Sequence, residues 1–564
     1  MKSKPILLMK LTLFIGLIIF SLTSGYGIGK ERETRKNYSL NCKETSLIDK
    51  KSESGDIKLG IAFGDNFKDE IFMPYIRDLS ADVTLIKLRW YDIEPYSPND
   101  PRYVFDTTIL DNFLNQLQDG DVVLINIFTA SDWATDPTCE NNTQRKGCPL
   151  KDDATCLLEY GITCKQAYRD FITKLVTYAN NYLASKNIDA KIEYWQRDTE
   201  PATARHFPSD SPKAYVELQR LFYESVKSAD PDAKVVGVCA AGGGTKKINE
   251  VIVPSNSDFF KYVIANARDY FDLIDIRFYH DVYSIPQRLK WFIQEMRKNN
   301  YIKPVISTEG GGPTTMEFRK YYGTILSWCI NNGYTTEIEL YDCLYDMDRR
   351  GLLPEEIAIF LPYDPRDQKS VLREEKVERM HCRDITQRTL IMLENNIKKQ
   401  WRWEIRADKR NFCAGPNKDI DVYGSIVFNK LAFLRYPGVI CNENSPIVPE
   451  KRKTSYKCYQ RMQEKLNGVK NVERLYAGNP NIFFYKVNKL DGSHIFVIWE
   501  RRDIFYGEEK PPTPFEIQVD FMNVKITDVF GNEKIKSTNN GILFLNITDT
   551  PLFIERTKAI KKRR

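Results

Sequence analysis

At 564 residues the chain exceeds one ordinary domain, and with 42% apolar and 12% aromatic residues it can bury a sizeable core, which excludes disorder beyond the ends. Its 82 basic and 76 acidic residues leave a formal charge of +6 with both signs mixed along the chain, which argues against a dedicated nucleic-acid binder. A basic tail over 558–564, ending in Lys561, Lys562, Arg563 and Arg564, reads as a solvated end.

The chain begins with Lys2, Lys4 and Lys10 around LTLFIGLIIFSLTSG, a short apolar run closing in small residues. Residues 1–27 therefore read as a secretory signal peptide. The run from Leu11 to Leu22 is shorter than the ~20 residues needed to cross a bilayer, so no membrane span is expected after processing. The expected location is extracellular, with a lysosome-like compartment as the alternative. Twelve cysteines fit that environment. Cys139, Cys148, Cys156 and Cys164 crowd one turn-rich stretch without a Cys-x-x-Cys pair, which favours a disulfide-stapled loop over a zinc site. Cys239, inside the apolar run VVGVCAA, reads as a buried free thiol. Sequons at Asn37, Asn141 and Asn546 suit a glycoprotein.

From residue 55 apolar runs alternate with helical patterns. IKLGIAF, VTLIKLRW, DVVLINIF, AKIEYWQR, AKVVGVCA, LIDIRFY and KPVISTE are strand candidates, separated by periodic stretches such as KQAYRDFITKLVTYANNYLA and the Ser211–Pro212 helix start. The eighth strand is placed at KKQWRWEI, after the helix CRDITQRTLIMLENNI, with IAIFLPYD as the other candidate. Strand–helix alternation of this kind implies an α/β fold, a (β/α)8 TIM barrel over 55–470, whose reactive groups gather at the carboxyl ends of the strands. From about Val472 the pattern turns to seven short strands without helices, the signature of a C-terminal antiparallel β-sandwich over 471–557.

Two glutamates stand where strands stop. Glu200 follows the aromatic-rich KIEYWQRDT and precedes Pro201, and Glu309 ends PVISTE before three glycines. Glycosidic bonds need a proton donor for the leaving oxygen and a second carboxylate at the anomeric centre, and two strand-end glutamates supply both. Each residue also has a plainer explanation. Thr199–Glu200–Pro201 alone is accounted for by a strand-to-loop turn. Arg89 fits a structural ion pair, Tyr279 a packed barrel residue, and Trp133, Trp401 and Trp403 core positions. Conjunction favours the chemical reading.

At these positions the sequence resembles the clan A retaining glycoside hydrolases, the cellulase-like superfamily, and most loosely its xylosidase and iduronidase group. DTEP resembles the acid/base motif at Glu200, and STEGG the nucleophile motif at Glu309. IKLRWYDIEP places Arg89 like the arginine that steadies the nucleophile, and FDLIDIRFY places Tyr279 like the tyrosine that donates to it. Two positions depart from the pattern. Thr199 replaces the asparagine before the acid/base, and Arg277 stands where a histidine is usual.

The resemblance implies a secreted hydrolase of O-glycosidic bonds, acting with retention through Glu309 and Glu200. Thr199, Arg277, Tyr279, Arg89, Trp133 and Trp403 would contact substrate or support the pair. The substrate would be an oligosaccharide, polysaccharide or glycoconjugate, and no cofactor or metal is implied. The departures admit a non-catalytic carbohydrate-binding protein on the same barrel, and more distantly an adhesion glycoprotein. For Arg277 two arrangements stand open, an ion pair with Asp198 or Asp275, and recognition of an acidic sugar substituent.

Overall fold

A computed structural model of the chain describes residues 57–63, 72–139, 147–203, 207–241, 244, 246–334, 337–361, 363, 366–405, 429–435 and 451–557. The signal-peptide reading, the sequons at Asn37 and Asn141, His206 and the basic tail lie outside the described residues.

Eight parallel strands form the barrel: β1 (Lys58–Ala62), β2 (Thr84–Arg89), β3 (Val122–Phe128), β4 (Lys191–Arg197), β5 (Lys234–Ala241), β6 (Leu273–Arg277), β7 (Val305–Ile306) and β8 (Lys399–Arg402). They pair in chain order, and β8 returns to β1. The ring closes between β7 and β8, where Ser307 N donates to Lys399 O at 3.0 Å and Trp401 N to Ser307 O at 2.7 Å. All eight strands fall on the runs expected, the eighth at KKQWRWEI. IAIFLPYD instead opens as a helical turn, Glu355–Ala358, followed by buried turns.

Alternation along the strands sorts side chains into layers. Ala62, Leu85, Leu124, Tyr194, Val236, Leu273, Ile306 and Trp401 point inward and fill the barrel with one apolar cluster. Two residues further on, the same face carries Lys87, Asn126, Gln196, Asp275 and Thr308, all buried. The barrel therefore has an apolar plug beneath a polar layer near its mouth. Outward-facing apolar residues meet the helices, among them α1 (Cys164–Ser185) and α2 (Pro212–Ala229). Pro212 opens α2 at its first turn as expected, but the Ser211 hydroxyl bonds to Asp210 and does not cap the helix.

Between β7 and β8 lie α3 (Arg319–Asn331), α4 (Glu337–Arg349) and the long α5 (Gln368–Glu394). The first two are joined by the Cys329–Cys343 disulfide over a small core of their own. The expected helix from Cys382 is the second half of α5. After α6 (Thr454–Leu466) the chain enters eight antiparallel strands: β9 (Val469–Leu475), β10 (Ile482–Lys489), β11 (His494–Glu500), β12 (Thr513–Gln518), β13 (Asn523–Asp528), β14 (Glu533–Ser537), β15 (Ile542–Ile547) and β16 (Leu552–Arg556). Six form a sheet in the order β9-β10-β11-β16-β13-β14, and β12 pairs with β15. Alternation again divides the faces: Phe484, Phe496 and Ile498 pack with Ile517, Leu543 and Leu545 inside the sandwich, whereas Phe483, Tyr485, Val497 and Trp499 join the barrel core. Strand β14, EKIKS, is exposed along its length and has no apolar alternation to reveal it in the sequence.

Cys139 pairs with Cys148 and Cys156 with Cys164, so the expected staple forms within its own four cysteines. Cys239 is buried and free. Among the described residues no helix is long and apolar enough to cross a membrane.

Candidate active site

Glu309 lies three residues beyond β7 and is buried at the barrel mouth. Its Oε1 lies 2.9 Å from Lys87 Nζ and 2.8 Å from Arg277 Nη1, and its Oε2 accepts from the Tyr279 hydroxyl at 2.9 Å. Side chains from β2 and from the end of β6 thus converge on one carboxylate. Lys87 also lies over the Trp403 ring, 4.2 Å from its centroid, so Trp403 walls the same corner. Burial first, and then the negative Glu309, push the Tyr279 hydroxyl well above its ordinary range and keep it a donor.

Arg277 is engaged on every nitrogen. Besides Glu309 it donates from Nε to Asp275 at 3.2 Å and from Nη2 to the Thr308 hydroxyl at 3.4 Å. Desolvation opposes its charge, but Glu309 and Asp275 outweigh it and hold the guanidinium above its usual pKa. Of the two arrangements open for Arg277, this is the internal ion pair, with Asp275 and Glu309 as partners. Asp198 instead pairs with Arg197 and accepts from Thr129 N at 2.8 Å. Asp275 also accepts from Thr308 N at 2.7 Å and from Gln196 Nε2 at 2.9 Å, and Gln196 in turn accepts from Asn126 Nδ2 at 2.8 Å. The floor under Glu309 is one connected polar network.

Glu200 sits in the turn after β4, where Asp198, Glu200 and Ala202 have φ of 44°, 45° and 64°. Non-glycine residues with positive φ are uncommon, and such runs concentrate at functional sites. The stapled loop abuts this turn, since a side chain at Gly147 would fall 2.3 Å from Asp198 Oδ1. Burial is the largest influence on Glu200 and raises its pKa; Arg277 opposes the shift and Glu309 adds to it. The two glutamates therefore feel each other's charge. Thr199 is buried beside Glu200, and among the described residues its hydroxyl has no hydrogen-bond partner.

The remaining candidates are placed differently. Arg89, at the end of β2, has Asp92 at 3.6 Å, and the β2 cation on Glu309 is Lys87, one step deeper on the same face. Trp133 is buried against Trp90 and Tyr160, with ring centroids 5.6 and 5.4 Å away, in the surroundings of a core residue. Trp401 belongs to the apolar plug. Lys87 was not singled out from the sequence, although a lysine at an inward position of an otherwise apolar strand is a signal that marks it. Among the described residues no group of three or more His, Cys, Asp or Glu is placed to hold a metal ion.

No protein-family model matches the chain, and no curated protein matches it in sequence. Among solved structures, a family 39 glycoside hydrolase from the gut symbiont Bacteroides cellulosilyticus WH2 superposes with a TM-score of 0.51 at 14% identity, covering 89% of this chain and 81% of that one. A monomeric β-xylosidase from Caulobacter crescentus CB15 aligns with a TM-score of 0.48 at 12% identity, over 89% of this chain and 98% of its own. A family 86 structure in complex with neoagarooctaose gives 0.49 at 12% identity, over 88% and 77%. The fold, an eight-stranded barrel with antiparallel β-sheets after it, is like that of the family 39 glycoside hydrolase. At these identities the likeness concerns fold alone.

Proposed function

We propose that the chain is a secreted retaining glycoside hydrolase acting on an oligosaccharide, polysaccharide or glycoconjugate. The observation that carries this reading is the pair of strand-end glutamates in opposite electrostatic settings, Glu309 held by Lys87, Arg277 and Tyr279, and Glu200 raised by burial. A carboxylate held by two cations and a hydroxyl suits a nucleophile, and a carboxyl that burial protonates more readily suits a proton donor. In the first step a Glu309 oxygen bonds to the anomeric carbon while the glycosidic bond breaks and Glu200 gives its proton to the leaving oxygen. In the second, Glu200 takes a proton from water, the water oxygen bonds to the anomeric carbon, and Glu309 leaves.

The deciding experiment is a panel of aryl glycosides combined with a fluorosugar inactivator. Turnover with an adduct on Glu309 supports the reading, and an adduct on Glu200 reverses the two roles. A second reading, a carbohydrate-binding protein without turnover, draws on two observations. Lys87 and Arg277 share one oxygen of Glu309, which weakens it as a nucleophile, and among the described residues the Thr199 hydroxyl beside Glu200 is unmatched. Glycan-array binding without hydrolysis of any aryl glycoside would favour it. Exposed Asn546 on β15 offers a glycosylation site consistent with secretion.

A further inference from the structure

We infer that Arg388 and Asp384, on the buried face of α5, are positioning residues that hold Tyr279 and Glu309 in register from behind the site. This rests on the reading of Glu309 as the reactive carboxylate. Neither residue belongs to the barrel rim, and the hydrogen bonds they make reach the site only through backbone.

Arg388 Nη1 donates to the carbonyls of both Phe278 and His280, each at 3.0 Å, and so grips the chain on either side of Tyr279. Its other nitrogens donate to Asp384 at 3.0 and 2.6 Å. Asp384 Oδ2 also accepts from Arg402 Nη2 at 2.6 Å, and the same nitrogen donates to Gly312 O at 3.0 Å. One carboxylate therefore ties together two guanidiniums, one on the loop after β6 and one on the loop after β7. The loops are also joined directly. The Thr314 hydroxyl donates to Tyr279 O at 3.0 Å and Gly311 N to Phe278 O at 3.1 Å. The fit at Gly312 is close, because a Cβ there would lie 2.6 Å from Arg388 Nη2 and 2.8 Å from Asp384 Oδ1.

Arg388, Asp384 and Arg402 are all buried, so removing one of them leaves buried polar groups short of a partner. The next polar side chains along α5 face elsewhere. Arg383 pairs with Glu508 and Asp549, and Gln387 donates to Asp549 O, all on the sandwich side. The helix thus presents its charges to two different clients. Arg383 provides an internal control for simply removing a buried cation from α5.

The test compares the full-length chain with Arg388→Met, Arg388→Lys and Arg383→Met by aryl glycoside kinetics and by backbone hydrogen exchange. If the wild type turns over, Arg388→Met should lower kcat by about 10²-fold, as for a small misplacement of reacting groups, with KM little changed. Arg388→Lys should recover part of the loss, and Arg383→Met should not reproduce it. If the wild type shows no turnover, the glycosidase reading fails, and exchange still decides the positioning claim. Arg388→Met should then speed exchange within 278–281 and 309–314, and Arg383→Met within 503–509. Unchanged exchange in the first two segments, the same pattern in both variants, or no recovery of kcat in Arg388→Lys would overturn the inference.

Discussion

Glu200 and Glu309 are chemically identical side chains that the barrel mouth treats differently: Lys87, Arg277 and Tyr279 hold Glu309, whereas burial acts chiefly on Glu200. Glu200 has its pKa raised in the folded chain, chiefly by burial, so the fold binds that proton more tightly than the unfolded chain does. Its contribution to stability is fully present below the unfolded value and is lost as pH rises through the folded one. Glu200→Gln removes the titration, so the variant should gain thermal stability relative to wild type at neutral and alkaline pH, and the gain should vanish below about pH 4. Its turnover should fall by about 10²–10⁴-fold, least for substrates with good leaving groups. Lys87→Met takes one of two cations from Glu309, and kcat should fall by about 10²-fold with the fold retained. An unchanged kcat would mean that Arg277 alone holds Glu309 in place. The two glutamates stand out in the sequence because a carboxylate where a strand stops is poorly explained by packing, whereas Tyr279 and Arg277 stand out only through the resemblance of FDLIDIRFY. Lys87 was hidden by the opposite circumstance, a strand whose other residues account for themselves as core.

Helix α5 exposes a limit of reading by hydrophobic periodicity. Its second half was visible from the apolar spacing after Cys382, but its first half, QKSVLREEKVERMH, is dense in charge and resembles a solvated segment. In the fold Arg373, Glu374 and Glu378 are buried, with Arg373 bonded to Asp348 and Glu355, and Lys453 at 2.7 Å from Glu378. Partners for those charges come from elements far away in sequence, so no local pattern announces them. The eight barrel strands were legible for the converse reason. Their runs are buried on both faces and need no distant partner to be recognised. The helix is also fastened covalently, since Cys382, two residues before Asp384, is bonded to Cys458 on α6 across a separation of 76 residues. A loop of that size constrains the unfolded chain strongly. Cys382→Ser with Cys458→Ser should cost about 3–5 kcal/mol in denaturant unfolding, and more than removing the Cys139–Cys148 bridge, whose separation is 9.

At the scale of the whole molecule the sandwich is a wall of the barrel and not an appendage. Trp499 of β11 is buried, stacks on Phe483 and Tyr485 with centroids 5.3 Å away in each case, and donates from Nε1 to the Tyr283 hydroxyl at 3.0 Å. Tyr283 lies in the loop after β6, four residues beyond Tyr279. On its other side Tyr485 donates to Glu394, the last residue of α5, at 2.6 Å. The sandwich therefore presses on the two elements that shape the site, the β6 loop and α5. Trp499→Ala removes a large buried ring and leaves the Tyr283 hydroxyl without that donor, which should cost about 3–5 kcal/mol of stability. Trp499→Phe keeps the stack and loses only the hydrogen bond, at about 0.5–1.5 kcal/mol. If the sandwich serves only to cover apolar surface, both variants that remain folded should keep wild-type kcat. If it also sets the β6 loop, Trp499→Phe should lower kcat while its melting temperature stays close to wild type. Kinetics and melting on the same Trp499→Phe preparation separate the two cases, and the shared contacts of Tyr283 lead us to expect the second.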